Sequence, residues 1–161
     1  MEPGSRLTHS TETQDPPDES LYRSILRSMI YLMLCTGQNL AFAIGKLSKF
    51  SSNPSTEHVN PVKRLLLSTR KTRNLLGLHF GPFAPGSQPK AFVFSDADWS
   101  GDTESRRSTG AYICTISTGV PTSPHTAISW SSKQQPTIAL SSTEAEYMAL
   151  TEASKQAIWV S

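Results

Sequence analysis

The stretch Ala91-Phe92-Val93-Phe94-Ser95-Asp96-Ala97-Asp98-Trp99-Ser100-Gly101-Asp102 decides how the second half of this chain is read. Four β-favouring residues lead into a run of acids. A period of two puts Phe92, Phe94 and Asp96 on one face of a strand. A carboxylate that follows two aromatic residues onto the same face is costly to bury without a partner. A cation is one solution, and hard divalent ions such as magnesium take carboxylate oxygens as ligands. The plainer alternative is a strand end that runs into an acidic turn with its acids exposed.

Working outward, Thr109–Ser117 is a second strand candidate, with Tyr112, Ile113 and Ile116. A proline-containing turn at 119–124 follows. Ala127–Ser131 and Thr137–Leu140 read as one long third strand, bulged around Pro136. Ser141-Ser142-Thr143-Glu144 offers a capping box, Ser141 to Glu144, and a helix is expected from Thr143 to about Val160. On that helix Glu146 is the anomaly. Its neighbours at helical spacing are Ala149, Leu150, Ala153 and Ala157, a stripe suited to packing on a sheet, so Glu146 is expected to project from the buried face. Glu144 can serve the cap, and Glu152 can share a solvated face with Lys155. The alternative for Glu146 is favourable placement of an acid near a helix N-terminus. Taken together, Asp96 and Glu146 are two carboxylates on separate elements that can share a magnesium ion and orient phosphate oxygens for attack by water.

The first half reads differently. Residues 1–19 are polar, contain Pro16 and Pro17, and read as a disordered lead-in, not a signal peptide. Leu21, Ile25, Met29, Tyr31, Leu32 and Cys35 recur at helical spacing, with Ser20 as candidate cap and Gly37 as terminator. A second helix is expected over Leu40–Phe50. A third starts at Ser55-Thr56 and tolerates Pro61 only in its first turn. Leu75–Phe80 is a short strand candidate, and the prolines and glycines of 81–89 mark a linker. The organisation expected is a lead-in at 1–19, a helical segment at 20–80, a linker at 81–89 and a sheet-containing segment at 90–161.

Net charge is only +2, so bulk charge does not announce a nucleic-acid binder. Local clustering does more: Lys63, Arg64, Arg70, Lys71 and Arg73 gather in the third helix region. They suit phosphate contact, or simply a solvated helix face. Cys35 and Cys114 both lie in apolar stretches and are expected to be buried free thiols, which fits a reducing, intracellular compartment and no secretion. The most apolar run, Ile25–Leu34, contains Arg27 and is too short to span a bilayer. Trp99, Trp130 and Trp159 are expected in the core.

Four words in order carry a resemblance: Ser95–Asp102, Arg106-Arg107-Ser108-Thr109-Gly110, Ile128–Pro136 and Leu140–Tyr147. They resemble the ribonuclease H domain of copia-type LTR retrotransposons. The upstream words Tyr22-Arg23-Ser24-Ile25, Tyr31–Thr36, Ala41–Ser48 and Asn53-Pro54-Ser55 resemble the end of the reverse transcriptase in the same polyprotein. The resemblance covers about residues 20–161. It implies an α/β chain: a truncated ribonuclease H-like fold of three antiparallel strands plus one helix, preceded by a small helical reverse transcriptase tail. It maps Asp96 and Glu146 onto two catalytic carboxylates that hold Mg2+, with Mn2+ as a substitute. The implied reaction is hydrolysis of the RNA strand of an RNA–DNA hybrid. Asp98, Asp102 and Glu144 belong to the motifs but not to the metal core.

The resemblance has departures. Gly37-Gln38-Asn39 stands where the family usually has Arg-Pro-Asp, Pro61 falls in a stretch the family makes helical, and the reverse transcriptase active-site aspartates are absent. The family's third carboxylate would lie beyond Ser161, so a chain of this length is expected to be inactive alone. A non-catalytic nucleic-acid-binding fragment and a functionless relic are the alternatives. An unpaired sheet edge would then invite self-association.

Overall fold

The computed structural model describes residues 18–75, 77–81, 83, 85–118 and 125–160. They fall into two compact units, Met1–Gly77 and Leu78–Ser161. The lead-in up to residue 17 and the turn at 119–124 lie outside the described residues.

The first unit is helical: α1 (Glu19–Cys35), a 3-10 turn at Gln38–Leu40, α2 (Ala41–Ser48) and α3 (Thr56–Thr72). Asp18, not Ser20, caps α1, its carboxylate accepting from the amides of Ser20 and Leu21 at 2.9 and 3.1 Å. An ionised cap oxygen meets the unpaired N–H groups and the positive helix end together. The chain turns off α1 as the Gly37 amide donates back to the Leu32 carbonyl at 3.0 Å. α1 packs on α2 and α3 and buries Tyr22, Leu26, Leu47 and Val62 in one cluster and Met29, Leu40 and Ile44 in a second. Each such buried aliphatic side chain contributes roughly 1.5–3 kcal/mol. α3 starts at a capping box in which the Ser55 amide donates to His58 Nδ1 at 2.9 Å, and the buried His58 ring stacks on Phe50 at 3.9 Å. Pro61 lies inside α3, past the first turn, and the helix continues through it. This corrects the expected restriction: Pro61 removes one backbone donor, and burial of Val62 beside it keeps the helix seated.

The second unit contains β1 (Lys90–Asp98), β2 (Thr109–Ser117), β3 (Thr126–Gln134) and α4 (Ser142–Val160). The strands form one antiparallel sheet in the order β1-β2-β3, so the described chain is α/β with a three-stranded antiparallel sheet. Val93 pairs with Cys114, Ser95 with Tyr112 and Ala97 with Gly110. α4 lies across β1 and β2, on the face that carries Gly110. A Cβ added there would meet the Ala149 Cβ at 3.4 Å, so helix and sheet approach closely because both surfaces are small.

Several expectations are corrected. The described residues of Leu75–Phe80 form no strand, and Leu75 and Phe80 are exposed; an apolar run with no strand to pair with does not make a ladder. β3 ends at Gln134, and Thr137–Leu140 is not a strand. The irregularity lies at Ile128, the extra residue of β3 opposite the Cys114–Thr115 step of β2, and not at Pro136. Cys114 is buried but Cys35 is exposed. Trp99 and Trp159 are exposed. Trp99 reaches only far enough to donate its indole N–H to the Ala139 carbonyl at 3.2 Å. Among the described residues no helix is long and apolar enough to cross a membrane.

Candidate functional site

The acidic run at the end of β1 divides into structural and uncommitted carboxylates. Asp98 accepts from the Thr109 amide, which closes the β1–β2 connection. A Cβ at Gly101 would collide with the Asp98 carboxylate, so a side chain there would displace that carboxylate from the Thr109 amide. Asp102 accepts from the Ser105 hydroxyl and the Gln134 side-chain amide. Ser100 and Arg106 hold the loop tight at φ of 56° and 57°, a left-handed conformation that costs roughly 1–3 kcal/mol for such residues. Asp98 and Asp102 therefore belong to the loop's architecture. Asp96 does not: it is exposed, and among the described residues it has no hydrogen bond or ion pair.

α4 sorts its acids in the same way. The Glu144 amide donates to Ser141 Oγ at 3.1 Å, the Ser141 half of the expected capping box, while the Glu144 carboxylate accepts at 2.6 Å from the amide of Leu140, one residue before the Ser141 amide that the box calls for. Glu152 pairs with Lys155 at 2.6 Å on the solvent side, where such a pair contributes little. Glu146 is left uncommitted. It does not project from the buried face. That face is Ala145, Ala149 and Ala153, while Glu146 and Leu150 are exposed. The buried stripe starts one residue earlier than expected, which turns Glu146 about 100° away from the sheet.

Glu146 lines an open cleft of about 390 Å3 with Ser95, Ser142, Thr143, Tyr147 and Leu150. Ser95 is the residue before Asp96. Strand alternation gives Ser95 the α4 side of the sheet and gives Asp96 the side of Phe92 and Phe94. The packing thus brings Glu146 against the β1 segment that carries Asp96, with the Asp96 side chain leaving from the other face of that strand. Ser95 is a cleft residue that composition and spacing did not single out. Its only signal was its odd position beside Asp96, which takes meaning once α4 is known to lie on that face. Among the described residues no group of three or more His, Cys, Asp or Glu side chains gathers as a metal site.

In the helical unit, Lys63, Arg64, Arg70 and Lys71 are all exposed on α3, and Arg73 is exposed at its C-cap. The seven-residue separations of Lys63 from Arg70 and of Arg64 from Lys71 put these four on one broad helix face. Arg70 and Lys71 occupy the last turn, where the helix dipole favours cations.

Relatives place the chain. Over 139 residues it is 42% identical to the retrovirus-related Pol polyprotein from transposon TNT 1-94 of Nicotiana tabacum, covering 86% of this chain and 10% of that protein. Over 162 residues it is 34% identical to the corresponding polyprotein from transposon RE1 of Arabidopsis thaliana, covering 99% of this chain and 10% of that one. A protein that the chain matches almost end to end, at 43% identity over 86% of this chain and 90% of the other, is named secreted RxLR effector protein 161, from Plasmopara viticola. The chain is similar to one segment of the retrovirus-related Pol polyproteins of transposons. It corresponds to about a tenth of the length of the Pol polyproteins it matches. No family model and no solved structure matches it. The chain that matches this segment carries a strand-end carboxylate, a helix carboxylate beside the same strand and a basic helix face.

Proposed function

We propose that this Pol segment joins the end of a copia-type reverse transcriptase to the first part of a ribonuclease H-like domain, and that Asp96 and Glu146 serve hydrolysis of the RNA strand of an RNA–DNA hybrid. The observation that carries this reading is the sorting of the acids. Asp98, Asp102, Glu144 and Glu152 each have a structural partner. Asp96 and Glu146 have none among the described residues; Glu146 lines an open cleft with Ser95, the residue before Asp96, whose own side chain leaves from the other face of β1. Uncommitted carboxylates in a stretch that ties down its other acids are available for a ligand.

Their chemistry fits a hard divalent cation. Magnesium commonly keeps several waters and is held by one or two carboxylates together with substrate phosphates, and both side chains are exposed enough to leave room for those waters. Asp96 and Glu146 would each offer a carboxylate to Mg2+, or Mn2+ in its place; their side chains leave opposite sides of β1 here, so sharing one ion would need the rest of the polyprotein to bring them together, and the ion would supply charge stabilisation on the phosphoryl oxygens. Ser95, at the cleft, offers a hydroxyl to a phosphate or a water. The reading implies an intracellular site of action on nucleic acid. Incubating the chain with a labelled RNA–DNA hybrid in Mg2+ or Mn2+ tests it. The expected result is cleavage, alone or when the rest of the polyprotein is added, that Asp96→Asn lowers by at least about 100-fold, the range of lost charge stabilisation. Equal cleavage by Asp96→Asn, or no cleavage under either condition, rejects the assignment.

The α3 face favours a second, compatible role in holding nucleic acid without reading sequence. Neutralising Lys63, Arg70 and Lys71 together is expected to weaken hybrid binding and to flatten its dependence on salt by about three phosphate contacts' worth of slope. A slope unchanged by the triple substitution would dismiss this role.

A further inference from the structure

The sheet has two edges, and they are built differently. β3 carries the devices that blunt an edge. Its extra residue Ile128 bends it opposite the Cys114–Thr115 step, its Thr126 hydroxyl donates to the His79 carbonyl at 2.6 Å, and Lys133 is exposed near its end. β1 carries none of them within its span. It pairs with β2 without a register shift over nine residues, Lys90–Asp98, and contains no proline. Among the described residues no strand other than β2 takes its backbone groups. An unpaired, unblunted row of N–H and C=O groups is a template for another strand.

We propose that β1 pairs with β1 of a second copy of this chain, antiparallel, about a two-fold axis at Val93. The order of side chains along the strand selects this occupant. On the face away from α4, β1 presents Lys90, Phe92, Phe94 and Asp96. Laid against itself with Val93 opposite Val93, Lys90 meets the second copy's Asp96 and Phe92 meets its Phe94, and the two-fold repeats both pairs. Opposite charges and aromatic rings directly across are favourable cross-strand pairs. Moving the axis to Phe94 sets Phe92 against Asp96 and gives Lys90 to Asp98, which already holds the Thr109 amide. Moving it to Phe92 sets Lys90 against Phe94. Lys90 and Asp96 are exposed with no ion pair among the described residues. Phe92 and Phe94 pack against His125 at 5.5 and 6.2 Å, yet Phe94 is 52% exposed. On the other face Tyr147 and Leu150 of α4 are exposed and line the cleft at Ser95, so the two-fold turns the apolar flanks of two α4 helices toward each other. Main-chain hydrogen bonds supply the affinity; exposed ion pairs add little strength and fix direction and register. Asp96 serves the second copy's Lys90 or a metal ion in turn, not together; the dimer is read by mass and amide protection, which hydrolysis does not enter, so it stands or falls apart from the hydrolytic reading.

The test follows the mass of the whole chain by sedimentation equilibrium from about 10 µM to about 1 mM. A reversible monomer–dimer step with a Kd of about 100 µM is expected, in the class of small, transient interfaces. It stops at the dimer, because two-fold pairing uses up the β1 edge of both copies. Lys90→Glu and Asp96→Lys each set like charges opposite one another at both ends of the pair, and each is expected to weaken the dimer by about tenfold. Both side chains are exposed, so neither exchange disturbs the fold. Mixed in equal amounts, the two variants should regain the parent's affinity as a dimer of one copy of each, since opposite charges then meet at both ends. Hydrogen exchange separates a second copy from a segment of the same chain on this edge. Protection of the β1 amides that face away from β2 should rise with concentration; protection independent of concentration overturns the proposal. So does a chain that is monomeric at about 1 mM, one that grows past the dimer, or a mixture of the variants no tighter than either alone.

Discussion

The two units solve the same problem with opposite materials. The helical unit buries large apolar side chains: Tyr22, Leu26, Met29, Leu40, Ile44, Leu47, Phe50 and Val62. Among the described residues of the sheet unit, the buried hydrophobic positions are Cys114 and the alanines 127, 139, 145, 149 and 153, beside Ser108, Thr115, Ser117, Thr126 and Gln135. Its large apolar side chains, among them Phe94, Trp99, Ile138, Leu140, Tyr147, Leu150, Ile158 and Trp159, are exposed. The first unit draws its stability mainly from burial, which scales with apolar area. The second relies on ladder hydrogen bonds and on close approach of small surfaces, where dispersion depends on fit. One is sensitive to making side chains smaller, the other to making them larger.

That contrast can be broken by paired substitutions. Leu47→Ala should produce the largest effect, about 2–5 kcal/mol, since Leu47 is 1% exposed and its removal leaves a cavity. Hydrogen exchange of the α1 and α2 amides reads it; a loss below about 1 kcal/mol would show that the helical unit does not depend on its core. Ala149→Leu should cost about 1–3 kcal/mol by overpacking against Gly110. All three tryptophans, Trp99, Trp130 and Trp159, lie in the sheet unit, so the fluorescence midpoint in denaturant measures this change. An unaltered or higher midpoint would mean the α4–sheet contact has slack.

How much of this was legible in the sequence follows from how local each cause is. The Ser141–Glu144 cap and the three strand centres could be read because their causes lie within a few residues. The α1 cap could not be assigned, since Asp18 and Ser20 are both good cap residues two positions apart. β3 was drawn too long because Gln135, polar and next to a proline, is pulled beneath α4 and bonds the Ala145 carbonyl; that needs the helix in place. The phase of α4 was misjudged for a related reason. Ala145, Ala149 and Ala153 fit a helical period as well as Glu146, Leu150, Ala153 and Ala157 do, and only the closeness of Gly110 picks the smaller set.

The candidate site divides similarly. Asp96 and Glu146 stood out as acids beside apolar residues on separate elements, and the structure leaves both without structural partners among the described residues. The cleft that Ser95 and Tyr147 form with Glu146 depends on where α4 crosses β1, which no local pattern encodes. The basic face of α3 was legible in full, since side chains three, four and seven apart share a helix face whatever surrounds it.

The smallest effect sharpens the comparison at its one polar point inside the large-residue core. Tyr22 is 3% exposed and donates its hydroxyl to the Leu47 carbonyl at 3.0 Å. Burial pushes its pKa from 10.0 up to about 12. The folded state therefore holds this proton more tightly than the unfolded state. The resulting stability is fully present below pH 10 and is lost as pH rises from there through about 12. Tyr22→Phe should cost about 0.5–1.5 kcal/mol at neutral pH through the lost hydrogen bond, and it should remove Tyr22's share of the fall at high pH. Denaturant midpoints of the helical unit at pH 8 and pH 11 would show this as a smaller drop for the variant than for the parent chain. Equal drops would mean that the phenol ionises in the folded state without penalty, and that the helical core admits solvent at the residue that joins α1 to the end of α2.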